Sequence, residues 1–233
     1  MPGKKKNNRN RPVNPDPARY EWVNSSEGGY YRLKKAAGTP VNSSLRANNN
    51  ATESLAPAIK RIRMKLDAYT QGLDPGRVQG KMSGLLSGPF KKTGLPDLAA
   101  LKGFEFQKEH VLEKLLLVPY RVTVYHNHVE LLIPVAKGTV KKHNNLVTDF
   151  YFEGILLHGD AMQEGSLAVE YAVSAPYSFS SAVKQTCKLE LPLPRQVSSW
   201  MLLLKVSCLE GNEMAAHARH YGMKVVEVGV TSG

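Results

Sequence analysis

Residues 115–136 read LLLVPYRVTVYHNHVELLIPVA, and this segment sets the expected fold. Two apolar or alternating runs, Leu115–Tyr125 and Val129–Ala136, lie on either side of the polar triplet 126–128. Runs of β-branched and apolar residues bounded by turn-forming residues are typical of strands, and a short polar segment between two such runs is typical of a hairpin. We therefore predict two strands joined through His-Asn-His.

The same pattern, short apolar runs separated by turn-forming residues, holds from Phe104 to the end of the chain. Turn signals such as Lys137-Gly138 and Glu210-Gly211-Asn212 separate short apolar runs. About seven strands at this spacing favour an antiparallel β-sandwich over a βαβ fold. The other five predicted strands are Leu146–Leu157, Leu167–Val173, Gln185–Leu191, Trp200–Cys208 and Met223–Val228.

The residues before Phe104 show helical periodicity. Pro57 is unfavourable inside a helix and tolerated in its first turn, so we predict a strong helix from about Ser54 and a weaker helical piece from Ser43 to Thr52. Residues three or four apart form one apolar stripe on the strong helix. The stripe consists of Leu55, Ile59, Ile62, Leu66 and Tyr69.

A series of glycines at intervals of four follows Asp74-Pro75, which is a good start signal for a helix. If the segment is helical, Gly76, Gly80, Gly84 and Gly88 form a smooth ridge against which another backbone can pack closely. Each interior glycine costs about 0.5–1 kcal/mol relative to alanine, so this helix needs tertiary support. A loop is the alternative interpretation.

The predicted fold class is α+β. Residues 1–19 have the composition of a disordered basic tail. Residues 20–103 combine a short β segment with a helical region. The β segment is Tyr20–Lys35, for which we predict two strands about a turn. Residues 104–233 form the β-sandwich domain.

The net positive charge of the chain comes entirely from residues 1–103. The formal net charge is +11. Residues 1–103 contain 19 Lys and Arg against 7 Asp and Glu, a net charge of +12, whereas residues 104–233 contain 12 against 13. Such asymmetry favours an anionic partner for the front half, although a solvated basic tail that aids solubility explains it equally well.

If that partner is a polyanion such as nucleic acid, two groups of basic residues are the candidates. Each phosphate contact would add salt-dependent, sequence-independent affinity. The tail group is Lys4, Lys5, Lys6, Arg9 and Arg11, and the helix group is Lys60, Arg61, Arg63 and Lys65.

The histidines lack the spacing of metal ligands. His126, His128 and Glu130 would share one face of a strand, as in a cupin, but the spacing to the glutamate is too short. A protein zinc site needs three or four ligands, so we predict no metal here. His217 and His220 are expected in a short surface connection.

No catalytic motif is recognised, and we predict a protein that is not an enzyme and needs no cofactor. The chain lacks a Gly-x-Ser-x-Gly elbow and a glycine-rich phosphate loop. Cys187 and Cys208 lie in apolar runs, where cysteine usually packs as a small hydrophobe. A disulfide between them is the alternative, since they fall on separate predicted strands.

A cytoplasmic, soluble protein without membrane contact is the expected setting. The N-terminal residues are charged and contain no apolar signal region. No run approaches the roughly 18 apolar residues of a membrane span.

Several phrases together resemble a family of uncharacterised proteins from Bacteroidota bacteria. The resemblance covers roughly residues 28–110 and the last strand. It implies a short β segment, a helix, an LKGFxF linker and a β-rich C-terminal domain, and it implies no activity. The phrases are GYYRLK (29–34), VNSSLRANN (41–49), LAPAIKRI (55–62), LKGFEF (101–106) and HYGMKVVEV (220–228).

Two functions follow from these observations. The first is a structural or interaction protein whose β-sandwich mediates binding of a protein partner or self-assembly. The second is electrostatic nucleic-acid binding through the basic N-terminal half. A basic arm ahead of a β-sandwich is also the layout of many viral coat proteins, which is an analogy of fold alone.

Overall fold

The chain contains two compact units, residues 1–46 and residues 47–233. The structure is a computed structural model that describes residues 16–23, 30–34, 43–74, 76, 78–181, 183–197 and 199–230.

The first unit contains the predicted β segment. Strands β1 (Tyr20–Val23) and β2 (Tyr30–Leu33) pair in antiparallel register. The rings of Trp22 and Tyr31, which are opposite each other in the register, meet edge to face with centroids 4.8 Å apart. Aromatic cross-strand pairs of this kind stabilise a two-stranded ribbon. The two predicted strands are confirmed, and the predicted turn between them lies outside the described residues.

A hydrogen-bonded turn precedes β1. The backbone N–H groups of Arg19 and Tyr20 donate to the carbonyl of Asp16 at 2.9 and 3.0 Å, and the Asp16 side chain accepts from Ala18 N. Residues 16–19 therefore differ from the predicted disordered tail, because an aspartate side chain can close a turn locally. Residues 1–15 of that tail lie outside the described residues.

The second unit is built from helices followed by antiparallel strands. Its first helix begins at Ser43, four residues ahead of the unit. In chain order the elements are α1 (Ser43–Leu66), α2 (Val78–Thr93), α3 (Leu112–Leu115), β3 (Arg121–Val124), β4 (His128–Val135), β5 (Asp149–His158), β6 (Ala168–Val173), β7 (Tyr177–Ser178), β8 (Gln185–Pro192), β9 (Trp200–Glu210), β10 (Glu213–Met214) and β11 (Tyr221–Gly229).

The long strands β5 and β9 are the centre of a six-stranded antiparallel sheet. They pair from Asp149↔Leu209 to His158↔Trp200. Strands β10 and β11 pair with the other edge of β9, and β6 and β7 pair with the other edge of β5. Each predicted strand overlaps an observed one, and α+β with antiparallel sheets is confirmed.

The first predicted strand is shorter than expected. Of Leu115–Tyr125, only the residues of β3 are a regular strand, and Leu115 is the last residue of α3. Leu112 and Leu115 are buried in the core, and residues 116–120 after them are irregular apart from the bridge between Leu116 and Val140.

A second sheet covers one face of the six-stranded sheet. Strands β3, β4 and β8 form this three-stranded sheet, and their inward residues share a hydrophobic core with those of β5 and β9. A Cβ added to Gly154 of β5 would lie 3.0 Å from the Leu191 side chain of β8. The glycine therefore lets the two sheets approach closely.

The helices cover the opposite face. The stripe of α1, with Leu55, Ile59, Ile62 and Leu66 between 0% and 1% exposed, packs in a second core with residues of β5, β9 and β11. The predicted core face of this helix is confirmed. Alternate residues of β5 and β9 thus enter opposite cores, as the two-residue period of a strand requires.

Helix α1 runs without interruption through Pro57, whereas a start near Ser54 is predicted. The proline is exposed, while Ala51, Leu55 and Ala58 around it are buried. Packing on both sides of the proline holds the helix together despite the missing backbone donor. Among the helices of the described residues, none has the length and apolar character needed to cross a membrane.

Helix α2 forms as predicted, but its glycines do not pack. Val78, Met82 and Leu86 make the buried face. Apart from the neighbouring residues and the backbone of the helix itself, no described atom lies within 4 Å of a Cβ built on Gly80, Gly84 or Gly88. The prediction that the ridge supports close backbone packing is wrong for the described structure, because the larger apolar side chains bury more area and take the inner face.

The LKGFEF segment (101–106) hydrogen-bonds to β11 and adds an edge to the six-stranded sheet. Gly103 N donates to Val225 O at 2.8 Å, Phe106 N to Met223 O at 3.0 Å, and Val225 N to Phe104 O at 2.9 Å. The segment thereby covers the free edge of β11. The domain boundary predicted at residues 103–104 falls inside the second compact unit.

A buried ion pair joins the two central strands. Glu153 and Lys205 are opposite each other in the register, only 5% and 2% exposed, with Oε2 and Nζ 3.0 Å apart. Ser207 donates to Oε2 at 2.7 Å and Tyr171 donates to Oε1 at 3.0 Å. Burial and the carboxylate raise the pKa of Tyr171, which keeps its donating proton.

The stripe of α1 yields a direct test. We expect Ile62→Asp to lower the free energy of unfolding by about 4 kcal/mol, because it removes a buried side chain and places an unpaired charge in the core. Met64→Asp is the matched control on the same helix, since Met64 is 68% exposed, and should change stability by less than about 0.5 kcal/mol. Urea unfolding measures both; equal losses would show that the stripe is not a core face.

The open glycines of α2 yield a second test. Gly84→Ala should raise the free energy of unfolding by about 0.5–1 kcal/mol, because alanine has the higher helix propensity and meets free space. Gly72→Ala should instead lower the free energy of unfolding, because Gly72 has φ of 82° and its Cβ would lie 2.6 Å from the Tyr221 ring. Thermal unfolding compares them, and a destabilised Gly84→Ala would contradict the open face.

Candidate functional site

The structure gives the predicted polyanion residues of α1 different environments. Arg61 donates from Nη1 to the carbonyls of Ala161 and Met162 at 3.1 and 2.9 Å, so it anchors the loop after β5. Arg63 donates to Gln79 of α2 at 2.7 Å. Lys60 and Lys65 are exposed. The tail residues Lys4, Lys5, Lys6, Arg9 and Arg11 lie outside the described residues.

The hairpin loop between β3 and β4 is residues 125–127, and His128 is the first residue of β4. Tyr125 N donates to His128 O at 2.9 Å, and the rings of Tyr125 and His128 stack with centroids 4.4 Å apart. The His128 Nδ1 lies 2.9 Å from Asn127 Oδ1. Within the described residues no group of three or more His, Cys, Asp and Glu could hold a metal ion.

The two cysteines are free and buried, which confirms the interpretation as small hydrophobes. Burial raises the pKa of the Cys208 thiol to about 12. Burial also raises the pKa of the Cys187 thiol, against hydrogen bonds from Tyr177 and Ser174. Neither sulfur therefore has the thiolate character of a reactive cysteine.

The strongest candidate for a binding site is a cavity of about 400 Å³ at one end of the six-stranded sheet, which we call the apolar groove. Apolar side chains form most of its lining, with two carboxylates among them. Ligand sites are typically concave and apolar, with few polar groups. The lining residues are Leu95, Pro96, Asp97, Leu98, Ala99, Asp160, Ala161, Ser199, Gly229 and Val230.

One wall of the groove is the 3₁₀ turn Leu98–Leu101. Asp97 begins this turn, and its Oδ1 accepts from Ala99 N at 2.9 Å, as an N-cap aspartate does. Leu98 and Leu101 are buried in the helical core and fix the turn to the sheet. Leu95, just ahead of the turn, is 65% exposed at the mouth.

The opposite wall comes from the loops at the end of β5 and the start of β9. Asp160 accepts from Met162 N through Oδ1 at 2.8 Å, and Ser199 Oγ donates to Gly159 O at 3.0 Å. Gly159 has φ of 115° and its Cβ would lie 2.2 Å from the carbonyl of Ser166, so only glycine fits there. This tight turn holds the carboxylate at the rim.

The end of β11 forms the third side. A Cβ on Gly229 would lie 2.5 Å from the Trp200 ring, so the strand passes directly over the indole. Val230, the next residue, is 72% exposed.

The electrostatics of the groove differ from those of the basic chain. In the described structure Asp97 and Asp160 hydrogen-bond through Oδ1 to their own loops, and no bond of either Oδ2 is seen. A fixed carboxylate with a free oxygen is suited to a cationic group. The groove can therefore accept an apolar side chain beside a positive charge.

Sequence reasoning did not find this site, because residues 95–99, 160–161, 199 and 229–230 come together only in the folded sheet. The local signals were the Gly94-Leu95-Pro96-Asp97 turn and the His158-Gly159-Asp160 turn. Each signal predicts a loop, and neither predicts that the loops meet.

Comparisons with protein-family models, with curated proteins and with solved structures find no match for this chain. The resemblance to the Bacteroidota pattern stays a prediction.

Proposed function

We propose that the protein is a non-enzymatic interaction protein whose β-rich unit binds a segment of a protein partner. The observation that carries the proposal is the apolar groove with Asp97 and Asp160 at its rim. The segment it fits contains an apolar side chain next to lysine or arginine. We interpret the two packed sheets as the β-sandwich predicted from the sequence, with the helices as a third layer.

Exposed apolar surface supports this function. Leu95 and Val230 are 65% and 72% exposed on either side of a concave apolar lining. Covering such residues removes apolar area from water and favours association by about 25 cal/mol per Å². The groove holds about one large side chain, so we expect weak binding, with a dissociation constant of about 10⁻⁴ M.

The carboxylates supply selectivity. Charged groups at the rim of an interface are partly solvated, so each contributes about 1 kcal/mol or less to affinity while excluding like charge. An acidic segment would meet repulsion from both Asp97 and Asp160. Selection of a basic over an acidic partner is therefore the expected property of this groove.

A labelled peptide tests the groove. A six-residue peptide of alternating lysine and leucine should bind with the affinity given above, and the version with glutamate in place of lysine should not. The double variant Asp97→Asn, Asp160→Asn should weaken binding of the lysine peptide severalfold, because asparagine keeps each loop hydrogen bond and removes the charge. Fluorescence anisotropy measures the binding.

Asp67→Asn is the matched control, since it removes an exposed carboxylate of the same unit outside the groove lining. Ala99→Trp should block the groove and abolish binding with the charges intact. Equal binding of both peptides, or full binding by Ala99→Trp, would refute the groove as the site.

A second function, electrostatic nucleic-acid binding through the N-terminal half, is favoured by the exposure of Lys60 and Lys65 on α1. The tail residues from Lys4 to Arg11 would add to it. Arg61 contributes less than predicted, since its guanidinium already donates to two carbonyls.

A salt titration tests this function. Binding to duplex DNA should be insensitive to sequence and fall with salt, with a log–log slope near −0.9 per phosphate contacted. Deleting residues 1–11 should flatten the slope by several units, and Lys60→Gln with Lys65→Gln by about one to two more. Lys184→Gln, in the second half of the chain, is the control. No binding at about 50 mM salt would eliminate the nucleic-acid function.

A further inference from the structure

Four histidines and an arginine from three separate segments gather at the other end of the six-stranded sheet. The rings of His143 and His220 are 5.8 Å apart by centroid, and those of His217 and His220 are 6.3 Å apart. Arg219 Nε lies 3.4 Å from His220 Nε2. The prediction that His217 and His220 lie in a short surface connection is wrong for His220, because this side chain is fully buried.

Two neighbouring cavities open beside this cluster. The smaller, of about 240 Å³, is lined by His110, His217, Ala218 and Arg219. The larger, of about 410 Å³, shares His110 and Ala218 with it. Its other lining residues are Asp74, Gly76, Lys81, Gln107, Lys108 and Glu109.

Gln107 fixes the segments that build both cavities. It is 2% exposed, and its amide nitrogen donates to the carbonyls of Tyr221 and Ala218 at 2.8 and 3.3 Å. Its Oε1 accepts from Asp74 N at 3.2 Å. One side chain thereby joins Asp74, the segment before α3 and the turn before β11, and so fixes the relative positions of three parts of the cavity lining.

The smaller cavity has a strongly cationic environment. Burial, then Lys141, Arg219 and His110, lower the pKa of His143. Burial, then Arg219 and His143, lower the pKa of His220; His217 adds to this effect and Glu210 opposes it. The buried Nδ1 of His220 has no hydrogen-bond partner in the described structure. Arg219 therefore faces both rings and Lys141 faces His143, and their positive charge disfavours the imidazolium form when no anion is bound.

We propose that these two cavities bind a small phosphorylated sugar compound, with the phosphate in the smaller cavity and the hydroxyl-bearing part in the larger one. This site is separate from the apolar groove and does not depend on its function. Arg219 donates to the phosphate through its terminal nitrogens, and His110 and His217 donate to its other oxygens. Lys81 and Lys108 add positive charge in the larger cavity.

The larger cavity has the groups that a polyhydroxylated ligand needs. The carboxylates of Asp74 and Glu109 line it together with the two lysines, so hydroxyl donors and acceptors both find partners. Inorganic phosphate fills only the smaller cavity and should bind more weakly than a sugar phosphate. The same hydroxyls without phosphate should not bind.

Phosphate binding and histidine protonation are linked. A bound anion favours the charged imidazolium, so it raises the pKa of His143 and His220 from their lowered values. By reciprocity, affinity for the phosphate dianion rises as the pH falls and His143 and His220 become protonated. The other charged groups that face these rings are Lys141, Arg219 and Glu210.

Histidine titration by NMR tests the site with the full-length protein. Ribose 5-phosphate should shift the titration of His143 and His220 upward, inorganic phosphate should do so at higher concentration, and ribose should have no effect. Arg219→Gln should weaken ribose 5-phosphate binding about tenfold or more, the loss expected for a charge-assisted hydrogen bond. Lys108→Gln, an exposed change that leaves the fold intact, should weaken it severalfold.

Arg195→Gln is the matched control, an exposed arginine outside both cavities. Equal affinity for ribose 5-phosphate and inorganic phosphate would overturn the role of the larger cavity. Binding that is unchanged in Lys108→Gln and unaffected by pH would overturn the site. A short single-stranded RNA that shifts the histidines while ribose 5-phosphate does not would also overturn it, and would assign the cluster to nucleic acid.

Discussion

The pairing of β5 with β9 is the constraint on which the second unit depends. These two strands are buried along most of their length, and their alternate side chains enter opposite cores. A slip of one residue would exchange the two sets, so both the sheet packed on one face and the helices on the other would lose their partners. The register is therefore specified by two cores at once.

The ion pair of Glu153 and Lys205 helps to specify the same register of β5 against β9. Removing two charges from water can cost more free energy than their mutual attraction returns, so this buried pair is weak evidence for added stability. Its partners Ser207 and Tyr171 satisfy the carboxylate only when Glu153 is opposite Lys205. A shifted alignment would leave a buried charge unpaired, which makes the pair a device for specificity in this sheet.

The sheet also positions both proposed sites, which lie at its opposite ends. The apolar groove uses the loop after β5, the residue before β9 and the end of β11. The cationic cavities use the turn before β11, and the histidine beside them precedes β5. Loops at the ends of a rigid sheet can differ in chemistry without altering its core, so one unit can present an acidic-rimmed apolar groove and a cationic site.

The sequence by itself determined those helices and strands in which buried residues recur at a regular spacing. The stripe from Leu55 to Leu66 and the alternation in β8 predicted a helix and a strand, because each period reports which residues face a core. Only the tertiary structure decided that α1 passes through Pro57, that Gly84 faces outward and that Arg61 serves a loop. It also decided which loops meet at Asp97 and at His220. These outcomes depend on contacts between residues far apart in the chain, and local patterns carry no information about which distant segment supplies the partner.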